Sequence, residues 1–98
     1  MTTEEIPPVE TIDTVIGAHL RKLREAKHLS RPAVEEKTGI SYKTVKRIEM
    51  GERSANAQQL DAITRVYGLS LHVFMRDALQ GTRFGARTKA PQGPDPAT

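Results

Sequence analysis

Residues 30–51, SRPAVEEKTGISYKTVKRIEMG, decide the architecture of this chain. They divide into two short helical stretches around the turn Gly39-Ile40-Ser41. Ser30 stands where a side-chain oxygen accepts from an otherwise unpaired backbone N–H, and Pro32 suits a first helical turn, where no N–H is needed. Val34 is the main apolar side chain of the first stretch. Gly39 falls where the backbone must turn left-handed, which glycine does at least steric cost. Ile40 is placed to plug the corner and Ser41 to cap the second stretch. There Val45 and Ile48, three apart, define a buried stripe. At about 100° per residue, the opposite side carries Lys43, Lys46, Arg47 and Met50, with Tyr42 flanking it at the N-terminus.

The flanking sequence supplies a helical scaffold. A helix is expected from about Ile12 to Lys27, with Ile12, Ile16, Leu20 and Leu23 on one face. A loop from Gly51 to Ala55 leads to Asn56, a helix cap whose partner Gln59, three residues on, completes a capping box. Leu60, Ile63, Val66 and Tyr67 form the inner face of that helix, and Gly68 ends it. Ser70 opens a fifth helix in which Leu71, Phe74, Met75, Ala78 and Leu79 recur at i, i+3, i+4, i+7 and i+8, and Gly81 stops it. Residues 1–11 hold two prolines and no periodicity and are expected to form a flexible arm. Residues 82–98, rich in Pro and Gly, are expected to be a disordered basic tail. The fold class is all-α, a compact five-helix domain over residues 12–81.

Composition bounds the function. The 98 residues suit one domain able to bury its own core. With no cysteine, a disulfide scaffold, a thiolate metal site and a cysteine nucleophile are all excluded. No apolar run is long enough for a membrane span or signal peptide, so the cytoplasm is the expected compartment. The net charge of +3 is unevenly spread. Residues 1–13 carry four acids and no base, residues 14–81 twelve bases and seven acids, and residues 82–98 three bases and one acid. The central part is therefore basic, which favours approach to a polyanion without implying any sequence preference.

Two short helices about a glycine turn, the second with a basic outward face, make the pattern of a helix-turn-helix, in which one helix is offered to the DNA major groove. At IGAHLRKLRE (16–25), LS (29–30), TGIS (38–41), RIEMG (47–51) and YGLSLHVF (67–74), the chain resembles the Cro/repressor-type (XRE-type, lambda-repressor-like) helix-turn-helix family. The resemblance runs from about Val15 to Leu79. It implies a five-helix domain that binds operator DNA, usually as a dimer. It also implies that Tyr42, Lys43 and Arg47 fall where base-contacting side chains lie, and that Arg31 stands where the family often has a phosphate-contacting glutamine. Ser41, Thr44 and Lys46 on the flanks of the second helix, with Arg53, Ser54 and Asn56 in the loop beyond it, are the remaining candidates for flank or phosphate contact. Asn56 is first of all a helix cap. The resemblance further implies a structural ion pair between Arg24 and Glu49, whose place on the helix turns it towards the buried side. Two positions depart from the family pattern. Glu35 replaces a small residue and must reach solvent or pair with a base such as Lys46. His28 replaces a glycine, so the turn after the first helix is expected to differ.

The function expected is a sequence-specific transcriptional regulator, most simply a repressor of the phage Cro-like, immunity or small bacterial type. Its expected partner is double-stranded DNA with a palindromic operator. A homodimer would place two reading helices roughly 34 Å apart, with Leu71, Met75 or Leu79 extending into the interface. The alternative is an antitoxin that binds a toxin and represses its own operon. Arg83, Arg87 and Lys89 form a sparse basic tail that could lie along DNA. An enzyme is not expected: His19, His28 and His72 lack ligand spacing, Glu35-Glu36 reads as helix surface, and no phosphate-cradling glycine loop is present. No metal or cofactor is expected, no second domain of the cleavable-repressor kind, and the location is cytoplasmic, at the nucleoid.

Overall fold

Five short polar side chains start the helices. Thr11, Ser30, Ser41, Asn56 and Ser70 each accept a hydrogen bond from the backbone N–H three residues on, relieving donors that the first turn leaves unpaired. The computed structural model describes residues 10–85. Within them lie α1 (Ile12–Ala26), α2 (Arg31–Thr38), α3 (Tyr42–Glu49), α4 (Ala57–Val66) and α5 (Leu71–Leu79). Asn56 and Gln59 form the reciprocal capping box expected of them. A second box opens α1, where the Thr11 hydroxyl and backbone are both engaged by Thr14. Residues 1–9 lie outside the described part of the chain.

Helix ends are equally regular. After α1, the His28 N–H donates to Glu25 and the Leu29 N–H to Arg24, a Schellman closure with the left-handed residue at His28 (φ 57°). The same closure follows α3 at Gly51 and α4 at Gly68. The turn after α1 therefore keeps the geometry that glycine would give it, and histidine bears the strain. This corrects the expectation of a different turn at His28.

Leu20, Val34, Val45, Ile48, Ile63 and Phe74 are almost completely buried and, with Leu60, Tyr67 and Ala78, form one core. Each fully buried aliphatic or aromatic side chain contributes about 1.5–3 kcal/mol. Helix α1 packs on α3 and α5, α2 packs on α3 and α4, and α4 packs on α5. Helix α3 is thus backed by both α1 and α2. Val66 is only half-buried, as are Leu71, Met75 and Leu79 of α5. The chain continues past Gly81 through turns at Thr82–Gly85, where the Thr82 hydroxyl donates to the Leu79 carbonyl at 2.7 Å. Residues 86–98, most of the expected tail, lie outside the described part. None of the described helices is long and apolar enough to cross a membrane.

Candidate nucleic-acid interface

Helix α3 has two unlike faces. Val45 and Ile48 are buried, at 1% and 2% exposure, whereas Tyr42 is 44% and Met50 51% exposed. Lys43, Lys46 and Arg47 are exposed as well. Among the described residues none of these three cations is paired with a carboxylate. Three unpaired positive charges, an aromatic ring and a thioether therefore share one open surface on a helix whose back is buried. Ser41 is committed to the cap: it accepts from the Thr44 N–H at 3.2 Å and its hydroxyl donates to Thr44 Oγ1 at 3.1 Å.

The C-terminal end of α3 is held by Glu49, whose side chain is buried. Arg24 Nε donates to Glu49 Oε2 at 2.7 Å and Nη2 to Oε1 at 3.1 Å, the two-pronged pairing that a planar guanidinium permits. Arg24 Nη1 donates to the Leu29 carbonyl at 2.7 Å, so the same side chain ties α1, α3 and the loop after α1. The hydrogen bond to Glu49 pushes the guanidinium still higher above its ordinary value, against the opposing effect of burial. A second cation joins the pair. Arg31 Nε donates to Glu49 Oε1 at 3.0 Å, so this residue, expected at a phosphate, turns part of its guanidinium inward. The reason is geometric: α2 starts beside the end of α3, and one buried carboxylate has room for two arginines. The Tyr67 hydroxyl, also buried, has no partner among the described residues. Burial and the Glu49 charge push it up to about 12, with Arg24 opposing.

The N-terminal end of α3 is held from α2. Glu35 Oε1 accepts from the Tyr42 backbone N–H at 3.1 Å. The Glu35 side chain reaches solvent, one of the two outcomes expected of it, and does not pair with Lys46; its Oε1 also satisfies a helix-end donor at the positive end of the helix dipole.

The remaining candidates divide. Arg53 is exposed and unpaired among the described residues. The Ser54 hydroxyl donates to Asp13 Oδ2 at 2.5 Å, so it braces the loop against α1 with its donor already used. The Asn56 side chain caps α4, accepting from the Gln59 N–H at 2.7 Å. The Arg83 guanidinium stacks over the Phe84 ring at 4.8 Å, while Arg87 and Lys89 lie outside the described residues. No group of three His, Asp or Glu among the described residues could hold a metal ion. Gly17 is a residue the sequence reading passes over. A Cβ there would come within 2.6 Å of the Glu49 carbonyl oxygen, so its absence lets α1 and α3 approach closely. A glycine inside an otherwise regular helical pattern is the only local signal of this.

Fold and site together define a helix-turn-helix module, and the chain belongs to that family: the model of the helix-turn-helix domain matches residues 15–76. The solved structures it is similar to include two of the clp gene regulator ClgR from Corynebacterium glutamicum. One superposes with a TM-score of 0.67 at 21% identity, covering 72% of this chain and 76% of that one. The other gives 0.69 at 18% identity, covering 78% of this chain and 99% of that one. At such identities the likeness is one of fold. No curated protein sequence matches the chain.

Proposed function

We propose that the chain is a regulator of transcription, a small repressor of the phage or bacterial type, that reads double-stranded DNA with the exposed face of α3. The observation that carries this reading is the joint exposure of Tyr42, Lys43, Lys46 and Arg47 on a helix that is capped and backed by core, with none of the three cations paired to a carboxylate among the described residues. Arg47 can donate two hydrogen bonds to guanine O6 and N7. Lys43 offers a point charge to a base or phosphate, and Tyr42 an edge for a thymine methyl. Lys46 and Arg53 serve the flanking phosphates. Arg31 keeps its two terminal amino groups without a protein partner among the described residues, so it can meet a phosphate while Nε stays on Glu49.

The excess of basic residues between 14 and 81 speeds approach to a polyanion. A homodimer on a palindromic operator, using the half-buried Leu71, Met75 and Leu79 of α5, fits the geometry of such readers. Sedimentation with and without DNA tests it: a monomeric mass in both conditions removes the dimer. No catalysis is proposed, and a cytoplasmic site of action follows from the reading. The broader reading is tested by fluorescence anisotropy on duplex from upstream of the chain's own gene, with salt titrated and excess unrelated duplex present. Binding that resists the competitor supports a sequence reader, and the salt slope counts its phosphate contacts. Binding abolished by competitor, together with co-purification of a small partner, moves the antitoxin reading ahead.

A further inference from the structure

The Glu35 carboxylate is only half engaged by the fold. Oε1 accepts the Tyr42 N–H, whereas Oε2 has no hydrogen-bond or ion-pair partner among the described residues. That oxygen is also absent from the buried unpartnered atoms of this half-buried residue, so it remains open to solvent. We propose that Glu35 is a specificity-determining residue, which offers Oε2 to the N4 amino group of a cytosine in the major groove. The inference rests on the DNA-reading role proposed for α3.

Three features of the site point this way. The acceptor stands at the N-terminal turn of α3, on the Tyr42 backbone N–H, and base edges are read from the first turns of such a helix. Its tether to a backbone N–H fixes its direction before any ligand arrives, which limits the ordering cost of a contact. A carboxylate can only accept, so it suits a base edge that presents a donor and is repelled by a phosphate or by the paired acceptors of guanine. Cytosine presents a lone amino donor in the major groove, whereas adenine sets an acceptor beside its donor. Glu35 therefore adds affinity at one base position and subtracts it wherever α3 meets a backbone.

In-vitro selection from a random duplex library, run in parallel on the full chain and its E35Q and E35A variants, tests this. Glutamine keeps an acceptor for the Tyr42 N–H, and thermal melting checks that both variants fold. The wild type is expected to select cytosine at one position per half-site by roughly tenfold over other bases. With its amide oxygen held by the Tyr42 N–H, the E35Q variant turns only an NH2 donor to the base and is expected to shift that position towards an acceptor edge such as guanine, and E35A to lose preference there, with other positions unchanged. Identical preferences for all three proteins would overturn the role of Glu35 while leaving the DNA-reading function standing. A wild-type chain that selects no sequence at all would overturn both. A variant that fails to melt cooperatively overturns the assignment too, since it makes Glu35 a structural residue.

Discussion

Glu49 concentrates more of the molecule's electrostatics than any other described side chain. It is 5% exposed and answers two arginines, of which Arg24 is itself 8% exposed. Removing one member of such a buried set leaves the other charge desolvated and unpaired. Glu49→Ala is therefore expected to lower stability by about 3 kcal/mol, measured by denaturant unfolding. Arg31→Ala, at the half-buried rim of the same set, leaves the Arg24–Glu49 pair in place and should lower it by about 1 kcal/mol, less than Glu49→Ala. Equal losses for the two would show that Arg24 does not depend on Glu49. His28 offers the opposite case. It is the only described residue other than glycine with positive φ, a conformation that strains any side chain with a Cβ. Relief of that strain outweighs the extra chain entropy of glycine, so His28→Gly should stabilise by roughly 0.5–1 kcal/mol and raise Tm by a few degrees. A lower Tm would mean the imidazole makes a contact that outweighs the strain.

At the scale of the elements, α3 is clamped at both ends, by Glu35 from α2 and by Glu49 through α1 and α2, and pressed from behind by α1. Gly17 governs that last contact. Alanine in mid-helix normally gains about 1 kcal/mol over glycine. Here the added methyl meets the backbone carbonyls at the end of α3, which cannot yield without moving the helix. Overpacking of this kind costs about 1–3 kcal/mol, so the net effect of Gly17→Ala should be a loss of stability with weaker DNA binding. A stabilised variant would show that the two helices sit further apart than described. The contrast marks what was legible in the sequence. Caps, turns and stripes depend on neighbours within four residues, and Ser30, Gly39, Ser41, Asn56 and Ser70 could all be read in place. The Thr11–Thr14 box escaped because threonine is not the usual third residue of such a box. Gly17, Arg31 and Glu35 escaped for a different reason. What each touches is set by how helices cross, and local periodicity carries no record of that. The pairing of Arg24 with Glu49 was foreseeable only through family resemblance.

For the whole molecule, pH tests whether the network behaves as one buried unit. The neutral Tyr67 hydroxyl is favoured in the folded state, where its pKa rises from 10.0 to about 12. Its contribution is fully present below pH 10 and is lost as pH climbs through 12, amounting to roughly 3 kcal/mol. Lysines also discharge in this range, so the comparison is with Tyr67→Phe, whose unfolding free energy should fall less steeply above pH 10. Parallel curves would place the hydroxyl in contact with water. On the acid side, His19 packs against Phe74 with ring centroids 5.3 Å apart. Burial and the nearby Lys22 push its pKa down, so protonation below about 6.5 also works against the fold. The fold thus serves to hold one basic face still across the neutral range, and that face is where the functional reading stands or falls.

The most direct measurement compares Arg47→Ala and Lys46→Ala with the wild type. Each would be tested on the best duplex recovered by in-vitro selection and on its single-base variants, across a salt series. Arg47→Ala is expected to lose roughly 1–3 kcal/mol on the best duplex and to relax preference at one base position. Lys46→Ala is expected to weaken binding to every duplex alike and to reduce the salt slope by about 1. An Arg47→Ala protein that keeps the wild-type pattern of base preference would contradict the claim that α3 reads the sequence.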